Sequence, residues 1–209
     1  MEFKPFCCYD GLFLILDLSD KLFGHLLLWN PSTRESIELP RPEPLLEYYV
    51  YGLGYDETSD DYKILAVDLS AFYDLYANVS VEILSLKSGS WRRIGEKHPT
   101  GVHRVRGFRD CGMDYLPFVH GAFHWLGMSE YCSDVYRTIV SFNISNEVYG
   151  VIPLSERMCN IPHLLNIDPH VVIRDHGVSV LGGMLCFYST YNACHGRTFK
   201  LWAMKDYGV

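Results

Sequence analysis

His120 and His124 stand four residues apart, Asp56, Glu57, Asp60 and Asp61 crowd into six positions, and cysteines occur at 7, 8, 111, 132, 159, 186 and 194. Two histidines at i and i+4 hold one zinc ion only when a helix brings both rings to one face. The segment from His120 to Leu126 reads instead as a glycine turn entering a strand, where positions four apart lie roughly 13 Å from each other. A shared metal is not expected. The acidic group offers the oxygen ligands that a hard cation prefers, but lacks both the D-x-[DN]-x-[DN]-G order and a glutamate at the twelfth position of a calcium loop. It is expected to be a solvated turn. Seven cysteines with no C-x-x-C pair disfavour a disulfide framework and a zinc site alike. Cys186, inside the apolar run Met184–Tyr188, is expected in the core as a small hydrophobe. No G-x-S-x-G elbow, H-E-x-x-H pair or phosphate-binding glycine loop occurs, so no catalytic residues and no cofactor are expected.

The charge balance narrows the partners. A net charge of −7 and a pI near 5.7 give no overall positive field for nucleic acid or an anionic membrane surface. The basic stretch His103–Arg109 is expected to be a solvated loop. The first residues lack the basic and apolar regions of a secretory signal, and no apolar run approaches the roughly 18 residues that span a bilayer. Cytoplasmic or nuclear residence is the expectation, and the sequons at Asn78 and Asn143 then carry no weight.

The elements that must position any site read as strands. Short β-branched and aromatic runs bounded by Gly, Pro, Asn, Asp and Ser fill the chain, and no run of ten or more residues shows apolar recurrence at helical spacing. Helix is expected below about one-fifth of the residues. Four segments share a strand–turn–strand form: 28–40, 83–94, 141–154 and 201–209. Their aligned residues Trp29, Leu84, Phe142 and Trp202 are spaced by 55, 58 and 60 positions. A glycine turn leading into an apolar strand precedes three of them, at Asp10-Gly11, His120-Gly121 and Gly182-Gly183. About four strands per repeat at this period describe the blades of a kelch-like β-propeller, for which the period is about 50 residues. The fold class expected is all-β, an incomplete propeller-like arc of about four antiparallel blades over residues 1–209. Trp29, Trp91, Trp125 and Trp202 are expected between the blades.

These repeats resemble a family, the plant F-box-associated interaction domain of type 1, found in F-box/kelch-repeat and S-locus F-box-like proteins. The resemblance is carried by Cys8–Leu12, Leu28–Glu35, Tyr51–Lys63, Val81–Ile94, Val119–Leu126, Ile139–Glu147 and Leu201–Val209, in order along the whole chain. It implies a non-enzymatic substrate-recognition module of an SCF-type ubiquitin ligase, binding a target protein or glycoprotein for ubiquitination. A Skp-type adaptor and cullin are implied partners only where the parent protein carries an F-box. None is recognised before Cys7, and relatives continue beyond Val209, so the domain reads as truncated at both ends.

Loops hold the recognition residues of such scaffolds, and tyrosine gives large contact area at low entropic cost. The partner-binding candidates are therefore the loop aromatics Tyr48, Tyr49, Tyr51, Phe72, Tyr73, Tyr76, Tyr131, Tyr136 and Tyr191, with His195 beside them. Two other readings stay open: a propeller-fold hydrolase or glycan-processing enzyme, which needs convergent titratable groups in a cleft, and a structural remnant without function.

Overall fold

The computed structural model describes residues 3–19, 24–41, 49–68, 80–95, 104–105, 115–129, 136–155, 158, 172–193 and 196–207. Every element named among them is a strand, arranged in four antiparallel sheets that form the blades of a β-propeller. Blade 1 is the meander β1 (Phe3–Tyr9), β2 (Leu12–Asp17), β3 (His25–Asn30) and β4 (Glu35–Glu38). Blade 2 is β5 (Tyr49–Asp56), β6 (Asp61–Asp68), β7 (Val81–Ser85) and β8 (Ser90–Arg93). Blade 3 joins β9 (Arg104–Val105) and β10 (Phe118–Val119) to β11 (Ala122–Ser129), β12 (Tyr136–Asn143) and β13 (Tyr149–Pro153). Blade 4 contains β14 (Val172–Leu181), β15 (Met184–Ala193) and β16 (Gly196–Ala203).

Trp29, Leu84, Phe142 and Trp202 all fall in the third strand of their blades, so the spacing read from the sequence is the blade period. Two turn designs repeat with it. The first links strands one and two in blades 1, 3 and 4, where Asp10-Gly11, His120-Gly121 and Gly182-Gly183 each place both central residues at positive φ, between 51° and 76°. That is the backbone a tight hairpin needs to match the strand twist. The second design is a four-residue loop whose first flanking side chain accepts a bond from a backbone N–H two or three residues on. Asn30 takes Ser32, Asp56 takes Thr58, Ser85 takes Ser88 and Asn143 takes Ser145. The fourth position after each acceptor, Arg34, Asp60, Gly89 and Glu147, has φ between 53° and 64°. Asn143, a sequon residue, is thus occupied as a turn acceptor.

Strand alternation divides each blade between two neighbours. In β5, Tyr49, Tyr51 and Leu53 enter the core shared with blade 1, around Leu14, Leu26 and Leu28, while Val50 enters the core shared with blade 3. Gly52 and Gly54 face blade 3 as well, and they are glycine because the rings of Phe123 and Phe118 press on the β5 backbone. A Cβ at Gly52 would stand 2.7 Å from Phe123, and one at Gly54 2.6 Å from Phe118. A third core joins blades 3 and 4 through Leu126, Ile139 and Ile152 against Val178, Leu185 and Phe187.

Several expectations need correction. Tyr49 and Tyr51 are 5% and 0% exposed core residues of β5, placed inward by the same alternation, and so are not loop contacts. Trp125 alone among the tryptophans is fully buried. Trp91 and Trp202 are half-buried against the first and third cores, whereas Trp29 pairs with Phe13 on the opposite face of blade 1 from Leu26 and Leu28. Arg104 and Val105, expected in a loop, form β9 against β11. The fourth strand–turn–strand unit is the end of β16 followed by a bend, so the described part of blade 4 has three strands.

Candidate functional site

The first strands β1, β5, β10 and β14 contribute residues to one cavity of about 1250 Å³. All four run toward the turns that close their first hairpins, and those turns line one end of it. Asp10, Gly11, Glu57, Thr58, His120, Gly121 and Gly183 form this mouth. Tyr9 and Phe118 meet edge to face at 5.2 Å on its wall. A second hollow of about 730 Å³ shares Tyr9, Asp10 and Tyr55 with the cavity and extends to Asp60, Tyr62 and Lys87. There the rings of Tyr55 and Tyr62 are 5.0 Å apart.

Two of the phenols are held by carboxylates. Tyr62 of blade 2 donates to Asp10 of blade 1 at 2.5 Å, and this bond raises its pKa to about 12. Tyr55 donates to Asp60, which pushes the Tyr55 pKa up, while the same bond, followed by Lys87, lowers that of Asp60. Tyr9 is raised first by burial, then by the charges of Asp10 and Glu57. All three therefore keep their protons at neutral pH and present oriented rings. Glu57 is exposed and makes no hydrogen bond to a described residue.

Behind the mouth, two members of the acidic cluster depart from the expected solvated turn. Asp56 is 1% exposed and accepts from Thr58 N at 3.0 Å, Ser59 Oγ at 2.6 Å, Lys63 Nζ at 2.6 Å and Ser145 Oγ of blade 3 at 2.6 Å. Burial alone would raise its pKa. Lys63, Ser145, Ser59 and the Thr58 amide outweigh that effect and hold the carboxyl well below its usual range. Asp61, also buried, accepts from Ser85 Oγ at 2.5 Å and Lys87 N at 3.1 Å. Glu57 and Asp60 are exposed as expected.

His124 points away from the cavity into the seam between blades 3 and 4. It is fully buried, its Nε2 lies 2.6 Å from the Tyr207 hydroxyl, and its Nδ1 has no hydrogen-bond partner among the described residues. Burial lowers its pKa to about 4, with His120 adding to the shift. The Tyr207 ring also lies tilted against that of His120 at 4.8 Å, so the i, i+4 pair grips an aromatic ring. Among the described residues no group of three His, Cys, Asp or Glu is placed to hold a metal ion. Cys7 and Cys8 are free thiols on β1, Cys8 exposed in the cavity and Cys7 pushed up to about 12 by burial. Cys186 is buried, as expected.

Of the sequence-chosen candidates, Tyr49 and Tyr51 lie in the core of β5. Tyr136 and Tyr191 lie within β12 and β15. Tyr48, Phe72, Tyr73, Tyr76, Tyr131 and His195 fall outside the described residues. Tyr9, Tyr55, Tyr62 and Phe118 were missed, yet each flanks a first-hairpin turn. Superposing the repeats on those turns would have put all four at one end of the molecule.

A model of the F-box associated beta propeller domain matches residues 3–208. The chain belongs to that family. Three Arabidopsis thaliana proteins show the same kinship. This F-box associated domain is 28% identical to F-box protein CPR1 over 199 residues, 88% of this chain and 45% of that protein. It is 29% identical to putative F-box protein At3g21120, covering 92% and 46%, and 25% identical to F-box/kelch-repeat protein At3g23880, covering 88% and 44%. The chain thus spans a little under half the length of these relatives. TolB from Acinetobacter baumannii superposes with a TM-score of 0.45 and 7% identity over 95% of this chain and 42% of that one, too distant to bear on function.

Proposed function

We propose that this F-box associated domain is the substrate-recognition module of an F-box protein, and that it holds a target protein at the cavity mouth without performing chemistry on it. The observation that carries the reading is the row of oriented rings, Tyr9, Phe118, Tyr55 and Tyr62, beside a cavity where inner strands of all four blades contribute. Tyr55 and Tyr62 are already fixed by hydrogen bonds and Tyr9 and Phe118 by their mutual contact, and side chains so held lose little freedom on binding, which is the property of an interface anchor. Ubiquitination is then left to an adaptor and cullin recruited through an F-box of the parent protein. Among the described residues, the carboxylate and the histidine whose titration is most displaced argue for the same reading over a hydrolase. Asp56 and His124 are both spent on buried bonds within the fold, and neither lines the cavity.

Quantitative affinity capture by the full-length gene product, with the proteasome inhibited, tests this. Proteins enriched by the wild type are expected to fall at least about tenfold with Tyr55→Ala/Tyr62→Ala, since hot-spot truncations cost 2 kcal/mol or more. Undiminished enrichment by a folded variant overturns the proposal.

A further inference from the structure

We infer that the mouth takes a cationic side chain, arginine or lysine, from an extended segment of the target, seated against the Tyr9–Phe118 pair between Asp10 and Glu57. This rests on the recognition role proposed above and names its chemistry. Asp10 and Glu57 come from different blades and line the same cavity as the two rings. An aromatic face beside carboxylates attracts a cation both through the ring quadrupole and by charge.

Among the described residues the nearby cations do not neutralise the place. Lys87 is engaged with Asp60 and the Ser59 carbonyl at 3.2 and 3.0 Å. Lys4 lines the cavity too, but it is five residues along β1 from Tyr9, roughly 17 Å away in a strand, and its ammonium lies over the Phe6 ring at 5.4 Å. His120 is exposed at the mouth with its ring against Tyr207. Asp10 spends one oxygen on Tyr62 and Glu57 spends none on a described residue, so acceptor capacity remains for a guanidinium or ammonium. A phosphorylated segment would bring its negative charge against both carboxylates.

The test uses fluorescein-labelled ten-residue peptides of one Ala/Leu scaffold with Arg, Glu or phosphoserine at the centre. Anisotropy reads affinity, and protection of Cys8 from N-ethylmaleimide, assigned by tandem mass spectrometry, reads location. The Arg peptide is expected to bind at least tenfold more tightly than the other two, to slow Cys8 alkylation, and to lose its advantage in Asp10→Asn/Glu57→Gln. Asparagine tolerates the left-handed backbone of position 10, so this variant keeps the turn. Equal affinity for the three peptides, or an advantage that survives the double variant or leaves Cys8 unprotected, overturns the cationic inference. In those cases a target lost with Tyr55→Ala/Tyr62→Ala would still uphold the recognition face. If no peptide binds or protects Cys8, the cationic inference is overturned, and unchanged target capture by the tyrosine variant would overturn the recognition face as well.

Discussion

Asp56 and His124 are buried polar residues on the two seams that flank blade 3, and both make stability depend on acid in the same direction. Asp56 ties the β5–β6 loop to Ser145, and its lowered pKa means that its contribution is present above the ordinary carboxylate range and is lost as pH falls below it. His124 acts in a higher window. An unfolded histidine titrates near 6.5, whereas burial holds this one neutral down to about 4. Between those values the unfolded chain binds a proton that the folded chain refuses, so acidification favours unfolding there and leaves stability unchanged above it. The whole effect is worth about 3 kcal/mol at most, a large share of the 5–15 kcal/mol typical of a domain. Urea unfolding at pH 7, 5.5 and 4 should show stability dropping across this window in the wild type, and a flatter profile in His124→Phe. An equally steep profile in that variant would assign the dependence to another group.

At the scale of elements, β5 shows what the sequence makes legible and what it hides. Turn chemistry and the period of aligned apolar residues are local properties, and they are enough to find the blades, about four strands to each, and the glycine turns. The pattern Tyr51-Gly-Leu-Gly-Tyr55 was also visible, but its reason is not local. The glycines make room for Phe123 and Phe118, which arrive from another blade 71 and 64 residues later. The inward turn of Tyr49 and Tyr51 and the burial of Asp56 depend likewise on the neighbouring blade, so a loop reading of the one and a solvent reading of the other failed together. Gly52→Ala should overpack this seam and cost roughly 1–3 kcal/mol. Calorimetry would report the fall in Tm, and an unchanged Tm would mean that the Phe123 ring moves aside freely.

Across the described residues of the whole molecule, two exposed surfaces stand out. The mouth gathers oriented tyrosines and carboxylates, and the far side of blade 4 displays Leu181 at 58%, Phe199 at 61% and Leu201 at 42% exposure. The two surfaces differ in how they are built. Tyr55 and Tyr62 at the mouth are fixed by hydrogen bonds from phenol to carboxylate, whereas the blade 4 side chains lie on a sheet face whose edge strand β16 pairs on one side only among the described residues. Such edges and patches associate through general apolar contact. The proposed recognition of a specific partner therefore concerns the mouth. Photocrosslinking separates the two surfaces most directly. Benzoylphenylalanine is introduced at position 55 or, in a second sample, at position 199 of the full-length protein, and the captured target is irradiated in each. The expected result is a covalent target adduct from position 55 and none from position 199; adduct formation at 199 with none at 55 would contradict recognition at the cavity mouth.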